Sequence, residues 1–343
     1  MTEAPLTPAD GPEVPVRTTS ASIPRAQDFP VEDLLAVKGT QTIAVVLPAL
    51  NEEATVGSIV ETIRVELLER HPLVDELVVL DSGSWDATSE VAAAAGARVV
   101  HRDEVLPEIP AVTGKGEAMW RALAATQAEI VVFIDADLKS FTADYVSGLV
   151  GPLLLGVPPR ADEGGQWRPP ESIMMVKAVY ERPLVRGDVV VPAGGGRVTE
   201  LVARPLLNLY WPGLAGIVQP LGGEYAARRE LLESVAFPCG YGIEFALLVD
   251  TANRYGPESI AQVDLGIRLH RHADEQKLGR MAFEIMQAAT ARLPGHDDAT
   301  RPGTSTTLSQ FDRTPTGYEM RTHEVAVIER PPLATLRTGL TSD

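Results

Sequence analysis

The segment TIAVVLPALNEEATVGSIVETIRVELLERH (residues 42–71) joins a strand pattern directly to a helix pattern. Residues 42–50 are a nearly continuous apolar and β-branched run, which is typical of a strand buried on both faces. The apolar side chains after this run recur at helical spacing, at Val56, Ile59, Val60, Ile63 and Leu67. A buried strand followed by an amphipathic helix is the repeating unit of a parallel sheet, so the segment predicts an α/β protein.

The same alternation continues to about residue 150. Further strand patterns occupy residues 75–82, 97–102 and 129–137, and helix patterns lie between them. We therefore predict a mostly parallel sheet with helices on both faces. Three of the four strands are followed by polar segments, at residues 48–53, 81–84 and 135–137. Because ligands of such sheets bind at the carboxyl ends of the strands, these segments mark the predicted binding edge.

The pattern loosens in the second half of the chain. Residues 156–172 read as a surface insertion rich in Pro, Gly and charge, and two strands and three helices are predicted between residues 173 and 293. The predicted organisation is a flexible N-terminal arm (1–38), a first half (39–150), a smaller α/β half (151–293) and a polar C-terminal tail (294–343).

Composition excludes several classes of function. The formal net charge is −17 and the isoelectric point is about 4.8, which disfavours binding to nucleic acid or to an anionic membrane. Apolar runs stay short of the ~20 residues that cross a bilayer, and the first 20 residues lack the pattern of a signal peptide. The single cysteine, Cys239, forms no intramolecular disulfide, so we expect a cytoplasmic protein.

Asp135 and Asp137 are the most informative polar residues. Alternate residues at a strand end point the same way, so both carboxylates can face one ligand. Two like charges this close favour a cation between them, and Mg²⁺ or Mn²⁺ prefers carboxylate oxygen together with substrate phosphates. Lys115, between two glycines at a predicted helix start, suits a diphosphate. The alternative for the two aspartates is a solvated strand-end cap.

The loops after the first two strands also carry candidate ligand groups. Asn51 is placed to cap the following helix, and Glu52 can accept hydrogen bonds from a base or a ribose. Asp81 can accept a donor from a nucleobase. The alternative for the first loop is a capped helix start with acidic residues favoured by the helix dipole, and for the second a plain strand-to-helix turn is equally plausible.

Taken together, the segments VVLPALNEEATVG, DSGSWDAT, GKGEAMWRAL and FIDADL resemble the nucleotide-sugar half of GT-A glycosyltransferases. PAGGGRVTELVARPLL, QPLGGEYAARRELL, GYGIEFALLVDT and IAQVDLGIRLHRH are similar to the actinobacterial glucosyl-3-phosphoglycerate synthases, a family that also includes mannosyl-3-phosphoglycerate synthases. The resemblance covers about residues 40–293. It implies a GT-A type nucleotide-binding half at 39–150 and an acceptor-binding, metal-completing half at 151–293.

The resemblance also implies a reaction and a set of site residues. Glucose would pass from UDP-glucose to the 2-hydroxyl of 3-phospho-D-glycerate with retention of configuration, in a homodimer that uses Mg²⁺ or Mn²⁺. The nucleotide sugar would be bound by Pro48, Leu50, Glu52, Ser82, Lys115, Asp135, Ala136, Tyr241, Glu244 and Arg268. The acceptor would be bound by Gly196, Arg197 and Thr199, and the metal by Asp137 and His270.

The implied catalytic residues are Lys115, Arg197 and Glu244. Lys115 would assist departure of the diphosphate, Arg197 would position the anionic acceptor, and Glu244 would orient the sugar. His272 stands where family members often carry Asn. The residues leave open a GDP-mannose or GDP-glucose donor, a polyprenyl-phosphate acceptor, and a non-catalytic nucleotide-sugar-binding protein.

Overall fold

A computed structural model describes residues 23–157, 167–181, 184–186, 189–191, 196–268, 275–294, 305–315, 317–325 and 328–339. The strands are β1 (Ile43–Ala49), β2 (Glu76–Asp81), β3 (Arg98–His101), β4 (Ile130–Phe133), β5 (Met175–Glu181), β6 (Leu184–Arg186), β7 (Val189–Val191), β8 (Tyr225–Arg228), β9 (Phe237–Pro238), β10 (Ile260–Ile267), β11 (Thr307–Thr314), β12 (Gly317–Glu324) and β13 (Glu329–Arg330).

The α-helices are α1 (Val31–Lys38), α2 (Val56–Ile63), α3 (Thr88–Ala95), α4 (Lys115–Ala124), α5 (Asp144–Leu155), α6 (Arg204–Tyr210), α7 (Arg229–Ser234), α8 (Ile243–Tyr255), α9 (Glu275–Ala291) and α10 (Leu333–Gly339). A π-helical segment, Arg64–Arg70, continues α2, and another, Thr199–Ala203, leads into α6.

A seven-stranded sheet organises the fold, in the order β10-β5-β8-β4-β1-β2-β3. The pairs β1–β2, β1–β4, β2–β3 and β5–β10 are parallel, whereas β8 is antiparallel to both of its neighbours. The predicted α/β class with a mostly parallel sheet is confirmed. The two predicted halves, however, share this one sheet, because β8 joins β4 of the first half to β5 of the second.

Hydrophobic side chains fill both faces of the sheet. Val45 on β1 points into a core with Ile59 of α2 and Leu149 of α5. Its neighbour Val46 points into the opposite core, with Trp120 of α4 and Phe245 of α8. This alternation explains why the strands read as continuous apolar runs: both faces are covered by helices.

The boundary of the predicted N-terminal arm differs from the structure. Residues 23–38 belong to the folded body, with Phe29 and Leu34 in the core and α1 packed on α5. Gly151 of α5 has no side chain because the Phe29 ring occupies that space. Burial of these two apolar side chains offsets the cost of ordering a short segment with little periodicity. Residues 1–22 lie outside the described residues.

The predicted polar tail also contributes to the fold. β11 and β12 form an antiparallel hairpin, and β13 pairs with β9. Arg330 of β13 is buried against Glu117, an ion pair that joins residues 213 positions apart. In the predicted insertion, residues 158–166 lie outside the described residues, and Val157 pairs with Arg168 at its two ends.

Within the described ranges, no helix has the length and apolar character needed to cross a membrane.

Truncation of Leu34 tests whether α1 belongs to the core. We expect Leu34→Ala to lower the free energy of unfolding by about 2–5 kcal/mol, because it leaves a cavity at a fully buried position. Val37→Ala removes an exposed side chain from the same helix and should change it by less than about 0.5 kcal/mol. Urea denaturation measures both, and equal effects would contradict the assignment of residues 31–38 to the core.

Candidate functional site

A cavity of about 670 Å³ opens at the carboxyl ends of β1, β2 and β4, the predicted binding edge. We call it the strand-end cavity. It is lined by Pro48, Ala49, Leu50, Glu52, Ser82, Gly83, Arg102, Thr113, Gly114, Lys115, Ala118, Asp135, Ala136, Asp137, Tyr241 and Lys277. All the residues that the resemblance assigned to the nucleotide sugar are in this lining except Glu244 and Arg268.

The three loops at this edge are bonded to one another. Asn51 adopts a left-handed backbone conformation (φ 59°), and its side-chain oxygen accepts a hydrogen bond of 3.0 Å from the N–H of Trp85. The Asn51 N–H donates to Ser84 Oγ at 3.0 Å, and Thr55 Oγ1 donates to the carbonyl of Ala136 at 2.7 Å. Asn51 therefore links two loops, whereas we expected it to cap α2, which begins only at Val56.

Asp81 shapes the loop after β2. It is buried, and its carboxylate accepts hydrogen bonds from the N–H groups of Gly83 and Ser84 at 3.0 and 2.8 Å and from Ser89 Oγ at 2.5 Å. Burial raises the pKa of Asp81, but these bonds outweigh it and hold the pKa below its usual value. The carboxylate is therefore committed to the loop, and the structure favours the plain-turn alternative for this residue.

Lys115 begins α4 and bridges two carboxylates. Its Nζ lies 2.8 Å from Asp135 Oδ1 and 2.7 Å from Glu244 Oε1. Asp135 follows β4 and Glu244 lies in the first turn of α8, so this one side chain joins three elements. Burial lowers the pKa of Lys115, but the two carboxylates overcome that effect and raise it well above the ordinary value.

Arg268, directly after β10, closes the cluster from the other side. One guanidinium nitrogen, Nη2, donates to Asp135 Oδ2 at 2.8 Å and to Asp137 Oδ1 at 3.2 Å. The other, Nη1, donates to Glu224 Oε2 and to the Tyr180 hydroxyl oxygen, each at 2.9 Å. We refer to Lys115, Asp135, Glu224, Glu244 and Arg268 as the charged cluster.

The two aspartates of the DAD segment have different surroundings. Asp135 lies between Lys115 and Arg268, and these two cations hold its pKa well below the usual range despite the opposing effect of burial. The side chain of Asp135 is 22% exposed and that of Asp137 is 46% exposed. The Arg268 contact with Asp137, at 3.2 Å, is the longer of the two that Nη2 makes with these carboxylates. Both aspartates line the cavity, and Asp137 is the more accessible of the two.

The donor set suits a divalent metal that a ligand helps to hold. Among the described residues, no group of three or more His, Cys, Asp or Glu is arranged around a metal position. Mg²⁺ is commonly held by one or two carboxylates plus substrate phosphates, which Asp137 on the cavity wall fits. His270, the second predicted ligand, and His272 lie outside the described residues.

Behind the cluster lies a buried lysine that the sequence analysis did not single out. Lys177 of β5 donates to the carbonyl of Gly222, and its Nζ lies 5.0 Å from the centre of the Tyr225 ring. Burial lowers its pKa to about 8. The residue after Gly222, Gly223, has no room for a side chain, because a Cβ there would overlap the Asp135 carboxylate and Lys115 Nζ.

The predicted acceptor residues lie beside the strand-end cavity. Arg197 is exposed at a smaller cavity of about 280 Å³, which Leu201 and Leu278 also line, and Thr199 is buried. Gly196 has a left-handed φ of 83° just before this segment. Consecutive residues of α9 line the two cavities, Lys277 the first and Leu278 the second.

Five further residues at the site were missed by the sequence analysis. Arg102 and Lys277 place cations on the cavity wall, and Tyr180, Lys177 and Glu224 lie beneath it. Lys177 and Glu224 did carry a signal, because each is a charged residue next to or within an apolar strand run. Arg102 and Lys277 carried none, since surface cations of this kind occur throughout a soluble chain.

Comparison with known proteins identifies the class first. Residues 44–154 match the model of glycosyl transferase family 2, a range that starts at the second residue of β1 and contains β2 to β4 and α2 to α4. The carboxyl ends of these strands carry the strand-end cavity. The fold and the match together define a glycosyl transferase.

Individual relatives narrow the class to one family. Glucosyl-3-phosphoglycerate synthase of Mycobacterium tuberculosis is 47% identical over 315 residues, which cover 90% of each chain. Its crystal structure with Mn²⁺, uridine-diphosphate-glucose and phosphoglyceric acid aligns at a TM-score of 0.75 and 45% identity, covering 90% of this chain and 96% of that one. The structure with Mg²⁺ and uridine-diphosphate aligns at 0.76 with the same identity and coverage. The chain belongs to the glucosyl-3-phosphoglycerate synthase family.

Replacement of Lys177 tests whether burial lowers the pKa of this lysine in the folded protein. Between pH 8 and the ordinary lysine pKa of 10.5, the unfolded chain keeps the lysine proton while the folded protein releases it. The free energy of unfolding should therefore rise with pH across this window. The rise is about 1.4 kcal/mol for each unit by which the pKa of Lys177 is lower in the folded protein than in the unfolded chain. In Lys177→Met this rise should be absent.

Urea denaturation of wild type and Lys177→Met at several pH values isolates this contribution, since other titrating groups are common to both proteins. Lys139→Met, which removes an exposed lysine, controls for the change in net charge. Parallel stability curves for wild type and Lys177→Met would show that Lys177 keeps its ordinary protonation in the fold.

Proposed function

We propose that this protein is a retaining glucosyltransferase that moves glucose from UDP-glucose to the 2-hydroxyl of 3-phospho-D-glycerate, forming glucosyl-3-phosphoglycerate and UDP. The observation that carries the proposal is the charged cluster at the wall of the strand-end cavity, in which Lys115 and Arg268 each contact Asp135 at 2.8 Å. Support comes from the relatives whose crystal structures hold uridine-diphosphate-glucose and phosphoglyceric acid.

The donor fits the strand-end cavity by size and by charge. The loops after β1 and β2, with Pro48, Leu50, Glu52 and Ser82, would take the nucleoside, and Ala136 would face it from the loop after β4. The diphosphate would lie toward Lys115, at the positive end of α4. Tyr241 and Glu244, at the turn into α8, would face the glucose.

A divalent metal would be held through Asp137, with His270 as the second ligand. Mg²⁺ or Mn²⁺ bound there would neutralise negative charge on the departing diphosphate. The relatives' structures contain either ion, with uridine-diphosphate or with uridine-diphosphate-glucose. Lys115 would add a fixed positive charge to the same phosphate oxygens, and its contacts with Asp135 and Glu244 keep it oriented before the donor arrives.

Retention is part of the proposal because the resemblance to the family implies it, and the surroundings of the carboxylates bear on its route. Glu244 would face the glucose, but its carboxylate is paired with Lys115, and Glu224 lies behind Gly223 in contact with Arg268, so we propose that neither forms a covalent sugar adduct. We propose attack from the face that the diphosphate leaves. The bond between the anomeric carbon and the phosphate oxygen breaks as the acceptor 2-oxygen bonds to that carbon, and the hydroxyl proton passes to the departing phosphate.

The acceptor would bind between the two cavities. 3-Phosphoglycerate carries a carboxylate and a phosphate, and Arg197 offers a planar guanidinium that can pair with either. Gly196 and Thr199 would supply backbone and hydroxyl donors at the start of the same helical segment. Because the chain has a net charge of −17, a local cation such as Arg197 is needed to attract an anionic substrate.

A homodimer in the cytoplasm is part of the proposal. Leu201 and Leu209, on the helical segment after Arg197, are 75% and 70% exposed, and Met286 of α9 is also exposed. Such apolar side chains suit an interface between two copies. The buried thiol of Cys239, whose pKa is raised to about 12 by burial and by nearby Glu117, suits a compartment without disulfides.

A matrix of donors and acceptors tests the function. Purified protein is incubated with UDP-glucose, GDP-glucose or GDP-mannose, with 3-phosphoglycerate, a polyprenyl phosphate or no acceptor, and with and without Mg²⁺, and nucleotide release and product are measured. We expect turnover with UDP-glucose only when the acceptor and the metal are both present. Lys115→Ala should lower kcat by about 100-fold or more, as loss of a charge that stabilises the transition state does.

Preferred turnover with a GDP-sugar would reassign the donor, and turnover with a polyprenyl phosphate alone would reassign the acceptor. Donor binding without any turnover would contradict the enzymatic proposal. The anomeric configuration of the product, read by NMR, distinguishes retention from inversion.

A further inference from the structure

A segment near the C-terminus reaches the helix that carries Lys115. β13, at residues 329–330, pairs with β9, at residues 237–238, and the side chain of Arg330 extends from there to α4. The polar composition of residues 294–343 had suggested a tail outside the fold. Arg330 instead lies in a buried ion-pair network with Glu117, outside the lining of the strand-end cavity.

The Arg330 side chain forms an ion pair with Glu117, which lies two residues after Lys115. Its Nε donates to Glu117 Oε2 at 2.5 Å and its Nη2 to Glu117 Oε1 at 2.9 Å, which is a bidentate pair. Nη2 also donates to the carbonyl of Pro110 at 2.6 Å, and the guanidinium lies 5.5 Å from the centre of the Trp120 ring. Glu117 is fully buried, and its other cationic partner is Arg121, at 2.7 Å.

The backbone beside Arg330 supports β9, which lies against the start of α4. The carbonyl of Ile328 accepts from the N–H of Cys239 at 2.8 Å, and the carbonyl of Cys239 accepts from the N–H of Glu117 at 3.1 Å. Gly116 has no space for a side chain, because a Cβ there would overlap the carbonyl of Pro238. The chain at Lys115 is thus pressed directly onto β9.

β9 leads within a few residues to the carboxylate that Lys115 contacts. After Pro238 the chain passes through residues 239–242 and enters α8 at Ile243, and Glu244 is the second residue of that helix. Arg330 therefore holds α4 through its side chain and the β9–α8 connection through its strand. The contact of 2.7 Å between Lys115 and Glu244 spans these two elements.

We propose that Arg330 is a positioning residue that sets the spacing between Lys115 and Glu244. The proposal rests on the proposed function for its reading of Lys115 as the residue that assists the departing diphosphate. Arg330 itself lines no part of the strand-end cavity, so it acts through Glu117 and β9. Displacement of a catalytic group by about 1 Å can lower the rate by about 100-fold. Removal of the Arg330–Glu117 ion pair should therefore lower kcat.

Three variants test the proposal. Arg330→Gln removes the charge, Arg330→Lys keeps it but loses the bidentate geometry, and Arg228→Gln is a matched control. Arg228 also joins separate elements through its guanidinium, with hydrogen bonds to the carbonyls of Ile173, Leu153 and Pro170. It lies at the opposite end of β8 from Gly223 and the cavity.

Each variant is examined for melting temperature, for kcat and KM with UDP-glucose and 3-phosphoglycerate, and for UDP binding in Mg²⁺ by calorimetry. We expect kcat to fall by about 10-fold in Arg330→Lys and about 100-fold in Arg330→Gln. KM for 3-phosphoglycerate should stay within about twofold, and UDP affinity should weaken by about 10-fold in Arg330→Gln. Arg228→Gln should lower the melting temperature while it keeps kcat and UDP affinity.

The outcomes separate the two proposals. Inactive wild type would contradict the proposed function, and UDP binding would then still report whether Arg330 positions Lys115. Variants of Arg330 that melt at lower temperature but keep kcat and UDP affinity would overturn the positioning role. If Arg330→Gln does not fold, Arg330→Lys decides the question, and wild-type kcat in that variant would likewise overturn the role.

Discussion

The contact of Asp135 with two cations is the constraint on which the rest of the site depends. Lys115 arrives from α4 and Arg268 from the end of β10, and both reach the same carboxylate at 2.8 Å. β8 must then approach without a side chain at Gly223, where a Cβ would overlap Asp135. Because β8 runs antiparallel between β4 and β5, the two residues before it, Gly223 and Glu224, lie beside Asp135 and Arg268. The geometry of one carboxylate thereby fixes three strands and a helix.

This arrangement prepares the site for an anionic donor. A paired, oriented Lys115 needs little reorganisation when a diphosphate approaches, whereas an unpaired buried ammonium would lose its proton or fold outward. Removing these charges from water costs free energy, and the buried charges are stable only because each contacts a partner of opposite charge. Lys177 adds a further buried charge beneath the cavity, at the Gly222 carbonyl, whereas Arg330 and Glu117 form a separate buried ion pair.

Sequence patterns predicted β1 to β5, β10 and the binding edge, because these follow from local periodicity. The strand at 43–49 was predicted from its apolar run, Lys115 and Asp135 were singled out by their residue type at a helix start and a strand end, and Ser82 was assigned through the family resemblance. The packing of residues 23–38 and the pairing of Arg330 with Glu117 were missed, since each depends on contacts between distant parts of the chain. Local pattern carries no information about such partners. The same reason hid β8, a strand of four residues that was not predicted and whose antiparallel direction no local feature encodes.

The asymmetry between Asp135 and Asp137 is the central claim, and a metal titration tests it most directly. Mn²⁺ binding to wild type, Asp135→Asn and Asp137→Asn is measured by electron paramagnetic resonance at saturating UDP. We expect Asp137→Asn to weaken Mn²⁺ binding by about 100-fold or more, and Asp135→Asn to change it by only a few-fold while UDP affinity falls, because Asp135 is committed to Lys115 and Arg268. Equal losses of Mn²⁺ affinity in the two variants would contradict the account and show that the pair acts as a single chelate.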